Sequence, residues 1–319
     1  MISLAWLYQQ YENLKKAHEE YLQRHCWKHA AAANAQPEGV MCSTDSKDND
    51  KSGLCILGHR TSFFAPKPRL SREEKWAERE NELLDIALHL LQQDGFAEFS
   101  MEKLIRSCNF SKGTVYNHFS SKEDCQAALC LRGMHYVGEL MTRAYAFDGH
   151  ARERLLAFHF AYSLYSRVNP TMFLSVITCR TPGFQEKVAP ERALKIIEMD
   201  RYLFQLAGDA LRKARDEGAL PVDENLDEIA LTFLNWSTSF GVCALTTTGF
   251  DTESSRAIRQ RNLPLMAANL MMDGMGVMPS SKEWDYDKTW DRIAQEVFAP
   301  ELTMLLHNQR PELAPQGEQ

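Results

Sequence analysis

The sequence lacks the features of several large protein classes. No run approaches the roughly 18 consecutive apolar residues that a membrane helix needs, and the start, MISLAWL, has no basic segment like that of a secretory signal peptide. A basic excess is missing too, because the net charge of the 319 residues is −7. Nonspecific coating of nucleic acid is therefore disfavoured. We expect a cytoplasmic protein with no membrane partner.

Disulfide and catalytic signatures are also missing. Eight cysteines are spread over a long chain, which is typical of reduced thiols rather than of a crosslinked framework. There is no nucleophile elbow, no glycine-rich phosphate loop and no His-Glu-x-x-His motif. These absences argue against an enzyme. An enzyme stays an alternative only through the cysteines and histidines near the N-terminus.

Regular alternation of apolar and polar residues is nowhere strong, so strands are not predicted. The chain is 44% hydrophobic and 25% charged, and it is long enough for about two domains. Apolar residues recur instead at helical spacing between turn-forming residues. We predict an all-α fold with helices near residues 71–93, 100–108, 111–119, 121–147, 151–168, 171–180, 187–217, 223–248, 256–275 and 283–298.

The segment CNFSKGTVYNHFSSKED, residues 108–124, is unusually polar for a helix that follows an apolar one. Two short helices joined by a tight turn form the helix-turn-helix, whose second helix enters the major groove of DNA. Val115 and Phe119, four residues apart, would hold that second helix on the domain. An ordinary helical hairpin is equally compatible with this pattern alone.

A longer stretch, from residue 71 to residue 125, resembles the DNA-binding domain of the TetR (tetracycline-repressor) family. The matching positions include Gly95-Phe96, Ser100, the run from Ser111 to Phe119, and Ser121-Lys122-Glu123. Asn109 stands where the family usually has glycine. The resemblance implies a three-helix DNA-binding domain followed by a helical domain that binds a small molecule and forms a homodimer. It also implies that the dimer binds double-stranded DNA at a palindromic operator.

The resemblance assigns roles to individual residues. It places nine of them at the DNA: Ser100, Ser111, Lys112, Gly113, Thr114, Tyr116, Asn117, His118 and Lys122. Lys112 is the leading specificity residue, since an amine can donate to the acceptors of guanine. Tyr116, His118 and Lys122 would hold phosphates, which position the protein without reading sequence. Ser100 would cap the preceding helix near the DNA.

Two aromatic-rich stretches, FHFAYSLYSRVNPTMFLSVITC and TFLNWSTSFGVCALTTTGF, occur in the second half of the chain. Packed core explains most of these side chains individually, so the expected effector pocket depends on the resemblance. The candidate pocket residues are Phe158, Tyr162, Tyr165, Phe173, Trp236 and Phe240.

The predicted helices 223–248 and 256–275 occupy the place where the family builds its dimer interface. Small side chains on the first and larger ones on the second would allow close packing. The residues concerned are Ser237, Ser239, Gly241, Ala244, Leu265, Met266, Leu270 and Met271.

Residues 1–65 precede the part that resembles the family, and their chemistry has to be interpreted alone. Cys26 and His29, and likewise Cys55 and His59, have spacings that let two ligands face one ion. With Cys42, these residues could hold zinc or an iron-sulfur cluster. A thiol switch and an unligated extension remain open. So does a docking role for the amphipathic stripe from Leu4 to Tyr21.

We therefore predict four parts: an extension at 1–65, a helix-turn-helix domain at 66–130, an effector-binding and dimerisation domain at 131–308, and a disordered tail at 309–319. The predicted function is sequence-specific transcriptional regulation by a dimeric repressor that a small-molecule, metal or redox signal releases from DNA. A sensor based on the N-terminal segment and an activator are the alternatives.

Overall fold

The computed structural model describes residues 71–221, 227–248, 252–259 and 261–308. Every regular element within these ranges is a helix, which confirms the all-α prediction. The predicted extension and tail lie outside the described residues. The same holds for the candidate metal ligands Cys26, His29, Cys42, Cys55 and His59.

The helices follow one another along the chain with short connections. In order they are α1 Arg72–Glu98, α2 Met101–Ser107, α3 Lys112–His118, α4 Lys122–Tyr145, α5 Ala151–Val168, α6 Pro170–Cys179, α7 Pro182–Gln185, α8 Pro190–Asp216, α9 Glu228–Thr247, α10 Glu253–Arg259, α11 Leu263–Gly274, α12 Tyr286–Glu296 and α13 Ala299–Asn308.

Local sequence signals set the ends of α1. Ser71 and Glu74 form a complete capping box, in which the Glu74 N–H donates to Ser71 Oγ and the Ser71 N–H donates to Glu74 Oε2. Gly95 interrupts the helix near its other end with a positive φ of 79°. That conformation costs glycine little because it has no Cβ. The chain can therefore turn there towards α2.

Two helical boundaries differ from the prediction because of proline. The expected helix 256–275 is divided into α10 and α11, and Pro264 lies in the first turn of α11. A proline fits the first turn of a helix but disfavours helical conformation in the residue before it. The short α7 also begins at a proline, Pro182. Neither α7 nor α13 was predicted.

The buried side chains form three clusters, and α4 contributes to all of them. Leu129 packs in the cluster with α1, α2 and α3, and Leu140 packs in the large cluster of the following helices. Cys130 belongs to a third cluster between them. The domain boundary predicted at residue 130 therefore falls inside one continuous helix.

A buried arginine fixes the last helices on α5. Arg152 is fully buried and donates to Asp273 Oδ1 at 2.6 Å and to the Val277 carbonyl at 2.7 Å. Its guanidinium lies 4.5 Å from the ring centroid of Tyr286 at the start of α12. These contacts supply the partners that a buried charge requires.

One described helix, α9, is long and apolar enough to cross a membrane by length and composition alone. Only 17% of its most apolar window is buried within the single chain. An apolar surface of this kind requires a partner, and its geometry is taken up below.

The positive φ of Gly95 leads to a stability prediction. We expect Gly95→Ala to lower the free energy of unfolding by about 1–2 kcal/mol, because a Cβ is strained in that conformation even where space is free. Gly183→Ala is the matched control, since its Cβ also meets nothing within 4 Å and its φ is not positive. Equal urea-unfolding midpoints for the two variants would contradict the turn assigned to Gly95.

Candidate nucleic-acid interface

The second helix of the helix-turn-helix, α3, is held on the domain by two side chains. Val115 and Phe119 are fully buried in the cluster that α1 and α2 also form. Ser111 caps the helix, because its Oγ accepts from the Thr114 N–H at 3.1 Å. The predicted apolar pair and the predicted cap are both present.

The opposite side of α3 is presented to solvent. Lys112, Gly113, Tyr116 and Asn117 are exposed. Lys112 Nζ lies 5.7 Å from the centroid of the Tyr116 ring, so the amine and the phenol share one surface. The Thr114 hydroxyl is half-buried and lies 2.9 Å from Ser111 Oγ. This face combines hydrogen-bond donors with a backbone that carries no Cβ at Gly113.

His118 differs from its predicted role. Its imidazole is completely buried and stacks on Trp76, with ring centroids 3.8 Å apart. Burial lowers the pKa of His118 despite Glu80, whose carboxylate lies 3.7 Å away. A buried, neutral ring cannot hold a phosphate. The structure therefore contradicts that prediction and gives His118 a packing role between α1 and α3.

Ser100 and Lys122 lie at the starts of the two helices that flank α3. Ser100 caps α2 by accepting from the Lys103 N–H at 3.3 Å. Lys122 is the first residue of α4 and is half-buried. Their contacts with DNA stay predictions, as do those of the exposed residues of α3.

The sequence gave no sign of an arginine that ties the helix-turn-helix to the rest of the chain. Arg192, near the start of α8, donates to Asp124 of α4 at 2.9 Å and to Glu80 of α1 at 3.1 Å. It also donates to the carbonyl oxygen of His118, the last residue of α3, at 3.1 Å. One side chain thus joins α8 to three helices around the presented face.

A cavity of about 210 Å³ lies among α4, α5, α6, α8 and α9. Of the six predicted pocket residues, five lie on its wall: Phe158, Tyr162, Tyr165, Phe173 and Trp236. Phe240 lies behind the wall and packs on Phe173 and Trp236. The wall also includes His159, Asn235 and Ser239, which the sequence did not single out.

Comparison with known proteins agrees with the geometry of α1 to α4. Residues 83–129 match the family described as bacterial regulatory proteins, tetR family. The chain carries a TetR-family DNA-binding domain. That domain is characteristic of DNA-binding regulators rather than of enzymes, and it includes the whole of α2 and α3.

Curated relatives support the TetR-family domain alone. Uncharacterized HTH-type transcriptional regulators of Mycobacterium bovis and Mycobacterium tuberculosis are 36% identical to this chain over 62 residues. That stretch covers 19% of this chain and 31% of each relative. The chain thus spans about a third of the length of the curated relatives it matches.

Solved structures extend the likeness to the fold. A protein of unknown function from Rhodococcus sp. RHA1 superposes with a TM-score of 0.50 at 18% identity, over 67% of this chain and 100% of its own. A tetR-family regulatory protein from Rhodococcus RHA1 gives a TM-score of 0.49 at 19% identity, over 62% and 97% of the two chains. The first of these shows a shared fold that includes helices beyond the TetR-family domain.

The contacts of Arg192 lead to a second stability prediction. We expect Arg192→Ala to lower the free energy of unfolding by about 3–5 kcal/mol, because Asp124 is left buried without its cationic partner. Lys187→Ala is the control, since Lys187 is exposed and its pair with Glu123 should contribute less than about 1 kcal/mol. Urea unfolding measures both, and similar losses would contradict a special role for Arg192.

Proposed function

We propose that this chain is a sequence-specific transcriptional regulator, a dimeric repressor that a small molecule releases from its operator. The observation that carries the proposal is the presented face of α3 within a TetR-family domain. Two buried side chains hold this helix while its polar residues remain exposed. A location in the cytoplasm, where the operator is, goes with this function.

The exposed residues of α3 suit both kinds of DNA contact. Lys112 can donate to the major-groove acceptors of guanine, and Gly113 lets the backbone approach closely. Tyr116 and Asn117 can donate to phosphates, which fix the register of the protein on DNA. Ser100, Ser111, Thr114 and Lys122 lie at the helix starts around this face and are proposed as supporting contacts.

A dimer is proposed from an apolar outer face on α9 and α11, two helices that pack together. We define the outer face by its exposed apolar residues, which are Ile229, Phe233, Leu234, Leu245, Met266 and Leu270. Ser237 and Gly241 lie between them on α9, and a Cβ at Gly241 would meet nothing within 4 Å. Two copies of such a helix pair can pack as a four-helix interface.

Some residues predicted at this interface face the other way. Leu265 is buried in the core, Ala244 packs against it, and Ser239 lies on the cavity wall. Helical spacing explains the difference, because positions 239 and 244 lie off the stripe 229, 233, 237, 241 and 245. Met271 is half-buried, whereas Met266 and Leu270 belong to the outer face.

The dimer and the operator follow from each other. Two copies related by a two-fold axis would present two α3 helices, which bind half-sites separated by roughly 34–36 Å or one helical turn. The effector would bind in the cavity beside α4, whose N-terminal half packs on the TetR-family domain. Binding at one site would then change affinity at the other.

Operator binding is tested by the exposed pair on α3. We expect Lys112→Ala with Tyr116→Ala to abolish retention of operator DNA in a gel shift, because both donors leave the presented face. The helical circular dichroism spectrum should not change, since neither side chain is buried. Lys288→Ala, a strongly exposed lysine on α12, is the control and should retain DNA. Unchanged retention by the double variant would contradict the proposed interface.

The outer face is tested by its two most exposed leucines. Leu245 and Leu270 are 78% and 73% exposed in the single chain. We expect Leu245→Glu and Leu270→Glu each to give a monomer at micromolar concentration, because a dimer would bury the new charge against apolar groups. Leu306→Glu, on α13 and 67% exposed, should leave the mass by light scattering at twice that of one chain. A monomeric parent protein would contradict the proposed dimer.

A further inference from the structure

The wall of the cavity beside α4 is mainly apolar. Its 24 residues include four phenylalanines, two tyrosines, one tryptophan and three methionines. Most pockets for small molecules share this character, with a few polar groups that fix orientation. The polar groups on the wall therefore carry the information about the ligand.

The polar groups deep in the cavity are uncharged. His159 Nδ1 lies 2.6 Å from the Ser239 hydroxyl, and Asn235 also hydrogen bonds to the His159 ring. Complete burial lowers the pKa of His159 to about 4, so the ring is neutral at neutral pH. Trp236 Nε1 donates to the Tyr162 hydroxyl at 3.0 Å. These groups can exchange hydrogen bonds but supply no charge.

The charged residues of the wall lie at its solvent side and are paired with each other. Arg180 and Asp200 form an ion pair, and their side chains are 46% and 50% exposed. The Arg180 guanidinium also lies over the Trp236 ring, 5.0 Å from its centroid. No other wall residue carries a charge at neutral pH, so the interior offers no counter-ion to an ionised ligand.

We propose that the cavity binds an uncharged, largely apolar ligand with one hydroxyl or carbonyl group that hydrogen bonds to His159, Asn235 or Ser239. This inference rests on the proposed function, because it names the chemical class of the effector. A carboxylate placed in the interior would lose its hydration without gaining a cation. A hydroxyl keeps its hydrogen bonds there, since the neutral imidazole has one donor and one acceptor.

Two probes with the same apolar body and different head groups test the proposal. Para-butylphenol is neutral at pH 7, and para-butylbenzoate is ionised. Isothermal titration of the full chain should show the phenol binding at least about tenfold more tightly than the benzoate. The reverse order would overturn the proposal, and so would the binding of neither probe at millimolar concentration.

Two variants locate the binding site. We expect Ser239→Ala to weaken phenol binding about fivefold to tenfold, because the loss of one hydrogen-bond partner changes the polar cluster around His159. The variant should fold, since it removes only one hydroxyl from a half-buried position. Arg180→Ala is the control at the solvent side and should leave the phenol affinity within about twofold. A larger loss for Arg180→Ala than for Ser239→Ala would overturn the proposed orientation.

Release from DNA is measured separately, in a gel shift with each probe. Tight phenol binding without release would support the ligand class while contradicting the proposed effector control. Binding and release by the benzoate would support effector control while overturning the ligand class. The two failures are therefore distinguishable.

Discussion

The ion pair between Arg192 and Asp124 is the interaction on which the arrangement of the two halves depends. Asp124 is almost completely buried near the start of α4, where it also accepts the backbone N–H groups of Ser120 and Ala189. Its charge requires a cationic partner in that position. Arg192 supplies it, and its remaining donors reach α1 and the end of α3. The presented face of α3 is thereby fixed relative to α8.

This junction places the proposed DNA and ligand sites on shared elements. One end of α4 packs on the TetR-family domain, and the next turns, with Cys130, Met134 and Val137, form part of the cavity wall. The helix that begins near Arg192 also continues to the cavity, where Asp200 and Leu203 lie on the wall. A ligand that shifts α4 against α8 would act on contacts that hold α3. We therefore regard the α4–α8 contact as the element that both sites bias.

The sequence predicted those features that local chemistry determines. The caps at Ser71, Ser100 and Ser111 and the apolar pair of α3 follow from short-range spacing, and the structure contains each of them. His118 shows the limit, because spacing does not reveal that Trp76 covers its ring. Arg192 could not be predicted either, since its partners lie 68 and 112 residues away in the chain. The outer face similarly depends on how α9 rotates against the core, which composition does not determine.

The central claim is that the presented face of α3 binds one particular DNA sequence as a pair of symmetric half-sites. Selection of bound duplexes from a randomised DNA pool tests this claim most directly. The account predicts an enriched palindrome whose half-site centres are one helical turn, roughly 10–10.5 base pairs, or a multiple of it apart. A pool that stays random after repeated selection, or an enriched sequence without two-fold symmetry, would contradict it.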